Sequence, residues 1–123
     1  MKDPNIEASK GDILTEVNSK DTHYLIYLEP YPNIGNSFIG ALLTHSQINE
    51  NIPLQKDHFF IKDENEKEYD VTFDNSFVSN HPVYKKINGD SFKKLGQLTA
   101  KGILFIEQNI APYIQQFIPH NLY

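Results

Sequence analysis

The chain of 123 residues contains no cysteine, no tryptophan and no arginine, so all eleven of its positive side chains are lysines. The absence of cysteine excludes disulfides, thiolate nucleophiles and cysteine-ligated zinc. The absence of arginine removes the forked, permanently charged group that most often clamps phosphate in proteins. An A/T-rich coding bias would also explain the missing arginine. In either case, chemistry on a polyanion must here use lysine, histidine and hydroxyl groups.

Long apolar runs are also absent. A run such as Ile103-Leu104-Phe105-Ile106 is far shorter than the roughly twenty residues that a membrane-spanning helix needs. The first residues, Met1-Lys2-Asp3-Pro4, do not resemble a signal peptide. We therefore expect a cytoplasmic protein with no membrane contact. Its eight phenylalanines and seven tyrosines are sufficient for one small core in a domain of this length.

Charge is distributed unevenly along the chain. The formal net charge of -5 argues against a general nucleic-acid binder. Residues 1–70 carry thirteen carboxylates and six lysines, whereas residues 71–123 carry three carboxylates and five lysines. Between His81 and Lys101, five lysines are accompanied by only one carboxylate, Asp90. This local excess predicts either a surface that faces phosphate or a solvated lysine face.

Short alternating apolar runs bounded by turn residues predict a mainly β protein. A hairpin is predicted around an acidic turn at 63–66. We expect hydrated charges rather than a metal site here, because the glycine-containing ligand spacing of metal loops is missing. The acidic residues concerned are Asp63, Glu64, Glu66, Glu68 and Asp70. Asn88-Gly89 is typical of a type I′ turn. The predicted strands are 13–17, 23–29, 37–45, 58–62, 69–73, 77–78 and 83–87.

The apolar period changes near the end of the chain. Thr99 is a suitable N-cap for a helix whose apolar residues Ile103, Ile106 and Ile110 form one stripe. Pro112 should end or kink this helix. We expect a mobile arm at residues 1–10 and a single domain at 11–123. The predicted fold is a small, SH3-like curved β-barrel of five to seven antiparallel strands, followed by an α-helix from about residue 99.

Three short motifs resemble landmarks of the MazF/PemK-like toxins, which are small barrel proteins of toxin-antitoxin systems and typically dimeric ribonucleases. Gly11-Asp12-Ile13-Leu14 is similar to the family's opening Gly-Asp-Ile strand. A later run is similar to its Gln-Ile-Arg-Thr-Ile-Asp strand, and a third to its Gly-Lys-Leu-Ser helix entrance. The two later runs are Val83-Tyr84-Lys85-Lys86-Ile87-Asn88 and Gly96-Gln97-Leu98-Thr99.

This resemblance over residues 11–111 implies a homodimer that binds and cleaves single-stranded RNA without a metal or cofactor, and an antitoxin-like protein partner. It also implies a catalytic arginine at the start of the second strand and a threonine or serine at the end of the third. His23 and Thr44 occupy these positions, and Lys85 occupies that of a later arginine. The loop before His23 is shorter than the family's substrate-gripping loop.

Histidine can act as an acid or a base near neutral pH, but it is a poor substitute for the charge and five donors of arginine. The predicted catalytic residues are His23, Thr44 and Lys85. The predicted substrate-binding residues are His45, His81, Tyr84, Lys86, Lys93 and Lys94.

Ordinary structural roles are also open for these residues. His23 would then be a strand-edge imidazole, and Thr44 a hydroxyl that caps a turn. The competing hypothesis for the whole chain is a non-catalytic barrel that binds a protein partner. It is favoured by the missing arginine, the negative net charge and the abundance of tyrosine, a residue enriched at interfaces.

Overall fold

The computed structural model describes residues 8–17, 24–30, 37–47, 51–86 and 92–110. Several predictions fall outside these ranges and are not addressed by the structure. They are most of the N-terminal arm, His23, the Asn88-Gly89 turn and the chain after Ile110.

The described residues form a mainly β fold with six antiparallel strands in one open sheet and one helix near the C-terminus. The strand order across the sheet is β4-β5-β3-β2-β1-β6. A single turn of 3-10 helix, Lys56–His58, follows β4. The strands are β1 Asp12–Glu16, β2 Tyr24–Pro30, β3 Ser37–Thr44, β4 Ile52–Pro53, β5 Phe77–Lys86 and β6 Phe92–Gln97, and the helix α1 is Ala100–Asn109.

The first three strands and the helix confirm the predictions from sequence. Thr99 is the N-cap of α1, and its hydroxyl oxygen accepts a hydrogen bond from the Gly102 N–H at 3.1 Å. This bond satisfies one of the donors that a helix leaves unpaired at its start. Ile106 and Ile110 are fully buried, whereas Ile103 is half-buried. No helix of the described segments is long and apolar enough to cross a membrane.

Strand β5 joins two predicted strands into one. Its register with β3 shifts, because Leu43 pairs with Val78 whereas Ala41 pairs with Pro82. The extra residues of β5 form a bulge, in which the Ser79 hydroxyl oxygen accepts from the His81 N–H at 3.3 Å. The sequence pattern therefore detected both halves of this strand and interpreted the bulge between them as a break.

The predicted hairpin of residues 58–62 and 69–73 is wrong. The two segments do not form strands. They are joined by the isolated bridge between Lys62 and Glu68, where the Tyr69 N–H donates to the Ile61 carbonyl at 2.9 Å. Further backbone hydrogen bonds of these segments go to the edge of β6. The Phe60 N–H donates to the Gln97 carbonyl at 2.9 Å, and the Val71 N–H donates to the Leu95 carbonyl at 2.9 Å.

Strands β4 and β6 were not predicted. Strand β4 has only two residues, one of them Pro53, which is too short for an alternating pattern. Strand β6 contains adjacent lysines and a glycine, residues with low strand propensity. It forms because β1 pairs with it along its whole length. Since the two strands are distant in sequence, local sequence patterns do not predict this pairing.

Strands β1, β2 and β3 carry buried residues on both faces of the sheet. Ile13 and Ile26 belong to the main core, whereas their neighbours Leu14 and Leu25 belong to a second cluster with Phe38. This arrangement follows from the alternation of side chains along a strand. The Phe38 ring lies 5.7 Å from the ring of Phe92 in β6, measured between centroids. The main core consists of Ile13, Ile26, Leu28, Ile39, Ala41, Leu43, Leu54, Phe59, Val78, Leu98, Ile106 and Ile110.

Backbone hydrogen bonds join the chain after β4 to the chain after β6. The Thr99 N–H donates to the His58 carbonyl at 2.9 Å, and Phe59 forms a bridge with Leu98. We call this contact between residues 58–60 and 97–99 the 58/98 junction. It brings the outer ends of the sheet together and places the start of α1 directly above the 3-10 turn.

Helix α1 approaches this junction closely because it has glycine at position 102. A Cβ atom at Gly102 would lie 2.5 Å from the His58 carbonyl oxygen and 3.0 Å from the His58 Cβ. These distances are too short for non-bonded atoms, and the nearest obstacle is backbone.

We therefore predict that Gly102→Ala destabilises the protein by about 1–3 kcal/mol, although the same change inside an ordinary helix stabilises it by about 1 kcal/mol. Denaturant unfolding followed by circular dichroism measures the difference. Gln108→Ala, at an exposed position of the same helix, is the control and should change stability by less than about 0.5 kcal/mol. A Gly102→Ala protein more stable than the wild type would contradict the close contact.

Candidate functional site

A polar cleft of about 380 Å³ opens where β3 ends. We call it the Thr44 cleft. It contains two of the predicted site residues, Thr44 and His45. Its lining residues are Tyr24, Leu43, Thr44, His45, Asp70, Val71, Thr72, Asp74 and Ser76.

One wall of the cleft comes from the paired ends of β2 and β3. Tyr24 lies directly opposite Leu43 in the ladder, so the start of β2 is adjacent to the end of β3. The Thr44 hydroxyl oxygen accepts a hydrogen bond from the Ser46 N–H at 3.1 Å. Since that bond uses a lone pair, the hydroxyl hydrogen is available to donate to a ligand. This bond also matches the structural role considered for Thr44, a hydroxyl that caps a turn.

The opposite wall is a tight turn at residues 74–76. The Asp74 N–H donates to the hydroxyl oxygen of Ser76, a buried residue, at 3.3 Å. Asn75 adopts a left-handed conformation with φ of 46°, which asparagine tolerates better than most residues. The Ser76 carbonyl accepts from the Leu54 N–H at 2.9 Å and ties the turn to the core. The turn thus holds the exposed Asp74 at the rim of the cleft.

Among its described lining residues, the cleft carries negative charge near neutral pH. Asp70 and Asp74 supply two exposed carboxylates, and none of the described lining residues is a lysine. His45 is exposed. The hydroxyl groups of Tyr24, Thr44, Thr72 and Ser76 contribute no charge. This environment suits a cationic group and disfavours phosphate.

The lysines that the sequence grouped into a positive segment are largely paired with carboxylates. Lys85 Nζ lies 2.6 Å from the Glu16 carboxylate, and Lys94 Nζ lies 3.2 Å from the carboxylate of Asp12, which is buried. Lys101 forms an ion pair with Asp57, and this contact holds the pKa of Asp57 below its usual value. Each of these partners lies far away in sequence, so the local charge count overstated the positive surface.

Lys94 is held by further contacts. Its ammonium group donates to the Gln97 side-chain carbonyl at 2.8 Å and lies 5.6 Å from the centre of the Tyr69 ring. It lines a second cleft of about 730 Å³ along the edge of β6, together with Lys93. This cleft has four lysines and four carboxylates, so its formal charge is balanced. The two clefts share Asp70.

The structure separates two of the predicted catalytic residues. Thr44 pairs with Phe77 and Lys85 pairs with Phe38, so the two positions are six residues apart along β3. At the rise of an antiparallel strand this is about 20 Å. Thr44 and Lys85 therefore do not lie near one phosphate group. His23 precedes Tyr24 of the cleft in sequence and lies outside the described residues.

The other predicted residues are dispersed. His81 is exposed in the bulge of β5, and Tyr84 is 40% exposed further along that strand. The backbone of Lys86 pairs with Ser37 at the end of β5, away from Thr44. Of the predicted residues that the structure describes, Thr44 and His45 share the Thr44 cleft, and Lys93 and Lys94 share the second one.

The sequence analysis missed the acidic wall of the Thr44 cleft. Asp70 was interpreted only as one of several hydrated charges near the predicted hairpin turn. Asp74-Asn75-Ser76 is rich in turn-forming residues, which is a usable signal for a turn. Nothing in its sequence indicates that this turn faces the end of β3. Within the described part of the chain, no group of three or more histidine or acidic side chains could hold a metal ion.

Comparison of the chain with protein-family models, curated proteins and solved structures finds no match.

The ion pair between Lys85 and Glu16 gives a prediction about charge. Glu16→Gln and Lys85→Gln should each lower stability by at most about 1 kcal/mol at low salt, and the double variant should lose less than the sum of the two. A double-mutant cycle from urea unfolding measures the coupling energy. Because the side chains are partly exposed, about 0.5 M sodium chloride should reduce it. Zero coupling at low salt would contradict the pairing.

Proposed function

We propose that the chain has an SH3-like barrel of the MazF/PemK type and binds a basic segment of a protein partner in the Thr44 cleft. Three features support the fold assignment. Residues 11–14 lead into and form the start of β1, residues 83–86 lie in β5, and residues 96–99 lead into the capped helix. The resemblance implies these same positions, namely an opening strand, a later strand and the entrance to the helix. The 58/98 junction, which draws the ends of the sheet together, supports a barrel.

The observation that carries the functional proposal is the pair of carboxylates in a cleft whose described lining contains no lysine. Asp70 and Asp74 can accept hydrogen bonds from an ammonium or guanidinium group, whose attraction to carboxylates is strengthened by charge. The Tyr24 ring in the same cleft provides a surface for a cation. The chain has no arginine, so an arginine in this cleft would come from a partner.

The ion pairs of the lysines also favour a basic protein partner over RNA. A protein that binds RNA gains most of its affinity from cations that contact phosphate. Here Lys85, Lys94 and Lys101 already have carboxylate partners. Phosphate would have to displace these partners or bind beside them, which weakens the attraction. A basic protein segment meets no such competition from the described residues of the Thr44 cleft.

A defined peptide tests the proposal. Hexa-arginine titrated into the 15N-labelled protein should shift the amide signals of residues 44–45 and 70–76 more than those of β6. The double variant Asp70→Asn, Asp74→Asn should weaken binding about tenfold, because it removes both exposed carboxylates. Glu64→Gln with Glu66→Gln removes the same charge from the exposed turn elsewhere and serves as the control.

Equal weakening by the two double variants would mean that only net charge matters and would contradict a site in the Thr44 cleft. Binding of an unstructured RNA with sub-micromolar affinity and a steep dependence on salt would favour the nucleic-acid alternative. Light scattering during size-exclusion chromatography tests the predicted homodimer in the same samples.

A second candidate function is metal-independent cleavage of single-stranded RNA. The observation that favours it is that Thr44 and His45 share one cleft next to Tyr24, the residue that follows His23. The His45 imidazole would take the proton of a 2′-hydroxyl as its oxygen attacks phosphorus. The Thr44 hydroxyl would donate to a phosphoryl oxygen. The bond to the 5′-oxygen would then break, and the imidazolium would return a proton to that oxygen.

For this candidate we expect the purified protein to cut a long unstructured RNA in the presence of a chelator. Thr44→Ala and His45→Ala should each reduce the rate by at least about a hundredfold. Lys85→Ala should leave the rate nearly unchanged, because Lys85 lies at the other end of β3. Gel electrophoresis of end-labelled RNA measures all four proteins. No cleavage by the wild type, or equal cleavage by the Thr44 variant, would rule this candidate out.

A further inference from the structure

His58 occupies a central place in the 58/98 junction. It ends the 3-10 turn and is only 2% exposed. Its imidazole stacks on the Phe105 ring of α1, with centroids 4.6 Å apart and an angle of 29° between the planes. Helix α1 therefore packs against a titratable side chain, which can gain a proton as the pH falls.

Hydrogen bonding favours the neutral form of this imidazole. The Gln55 N–H donates to His58 Nδ1 at 3.0 Å, so Nδ1 acts as an acceptor and carries no proton. If Nδ1 gained a proton, this hydrogen bond would be lost, because the Gln55 N–H and the new Nδ1–H would be two donors facing each other. Protonation would also place a positive charge in a site closed to water, which is costly unless the charge is paired.

The backbone of His58 connects the imidazole to the rest of the junction. Its carbonyl accepts from the N–H of Thr99, the helix N-cap. Gly102 leaves no space for the turn to move toward the helix. A shift of the imidazole must therefore be transmitted to the first turn of α1.

Few charged groups of the described segments surround the imidazole. The 3-10 turn contributes Lys56 and Asp57, and α1 contributes Lys101 beside the uncharged Phe105 and Gly102. The segment 97–99 has no titratable side chain. Burial lowers the pKa of His58 below its usual value, the Asp57 carboxylate opposes this shift, and the Lys101 ammonium adds to it. Because Asp57 already pairs with Lys101, it compensates a charge on His58 only in part.

We propose that His58 is an acid-sensitive latch, which holds α1 against the 58/98 junction while it is neutral and releases the helix when it is protonated. The proposal is independent of any ligand in the Thr44 cleft. An unfolded histidine has a pKa of about 6.5. Since the folded pKa is lower, the latch contributes its full stability above about pH 6.5 and loses it as the pH falls toward the folded pKa.

Hydrogen exchange and an NMR titration of the ring test the latch in the full chain. Between pH 7.5 and pH 5, after correction for the intrinsic exchange rate, protection of the α1 amides should fall at least about tenfold, whereas amides in β2 and β3 should change far less. The His58 ring signal should titrate below pH 6.5, together with the loss of helix protection. A His58 ring that titrates at or above pH 6.5, or helix protection that stays constant, would overturn the proposal.

Two variants separate the latch from general acid sensitivity. His58→Asn keeps an acceptor near the position of Nδ1 but does not titrate, so its helix protection should no longer depend on pH in this range. His81→Asn removes an exposed histidine and should behave as the wild type does. An unchanged pH dependence in His58→Asn would refute the latch. If His58→Asn does not fold, the wild-type ring titration and exchange data decide the question.

Discussion

The structure depends most on the backbone pairing at the 58/98 junction. It adds backbone hydrogen bonds to the end of β6, the edge strand that pairs with β1, and it fixes the start of α1 next to the 3-10 turn. The pairing sets the height of the helix above the 3-10 turn, and Gly102 makes the short distance possible. It also directs the residues after Phe60 along the edge of β6, where Val71 bonds to Leu95. The position of Asp70 in the Thr44 cleft follows from that path.

Ion pairs between residues on different strands make the surface less positive than the sequence suggested. Lys85 reaches Glu16 although β3 and β2 lie between their strands, which requires a strongly curved sheet. The same curvature brings Phe38 to Phe92. Ion-paired lysines on one part of the surface and the exposed carboxylates of the Thr44 cleft are thus two results of one folded shape.

Local patterns were sufficient to predict much of the fold. Alternation gave β1, β2 and β3, and the capped apolar stripe gave α1. The hairpin failed because residues 58–62 and 69–73 alternate in the same way whether they pair with each other or with a third strand. For the site, Thr44 and His45 were found through their place at the end of β3. Asp70 and Asp74 were not found. Their positions near Thr44 depend on hydrogen bonds of the neighbouring residues Val71 and Ser76 to Leu95 and Leu54, which are distant in sequence.

The burial of both sheet faces has a consequence for how the strands find their alignment. In a sheet with one wet face, a slip by one residue exposes the apolar side chains and is strongly penalised. Here a slip would exchange Ile13 for Leu14 and Ile26 for Leu25, apolar residues on either side. Alignment must then rely on the bulges and on the close approach of Gly40 to the Ile26 carbonyl, where a Cβ would lie at 2.7 Å. We therefore expect misaligned strand pairings to compete with the native pairing during folding. This competition should slow the formation of a sheet that has apolar side chains on both faces.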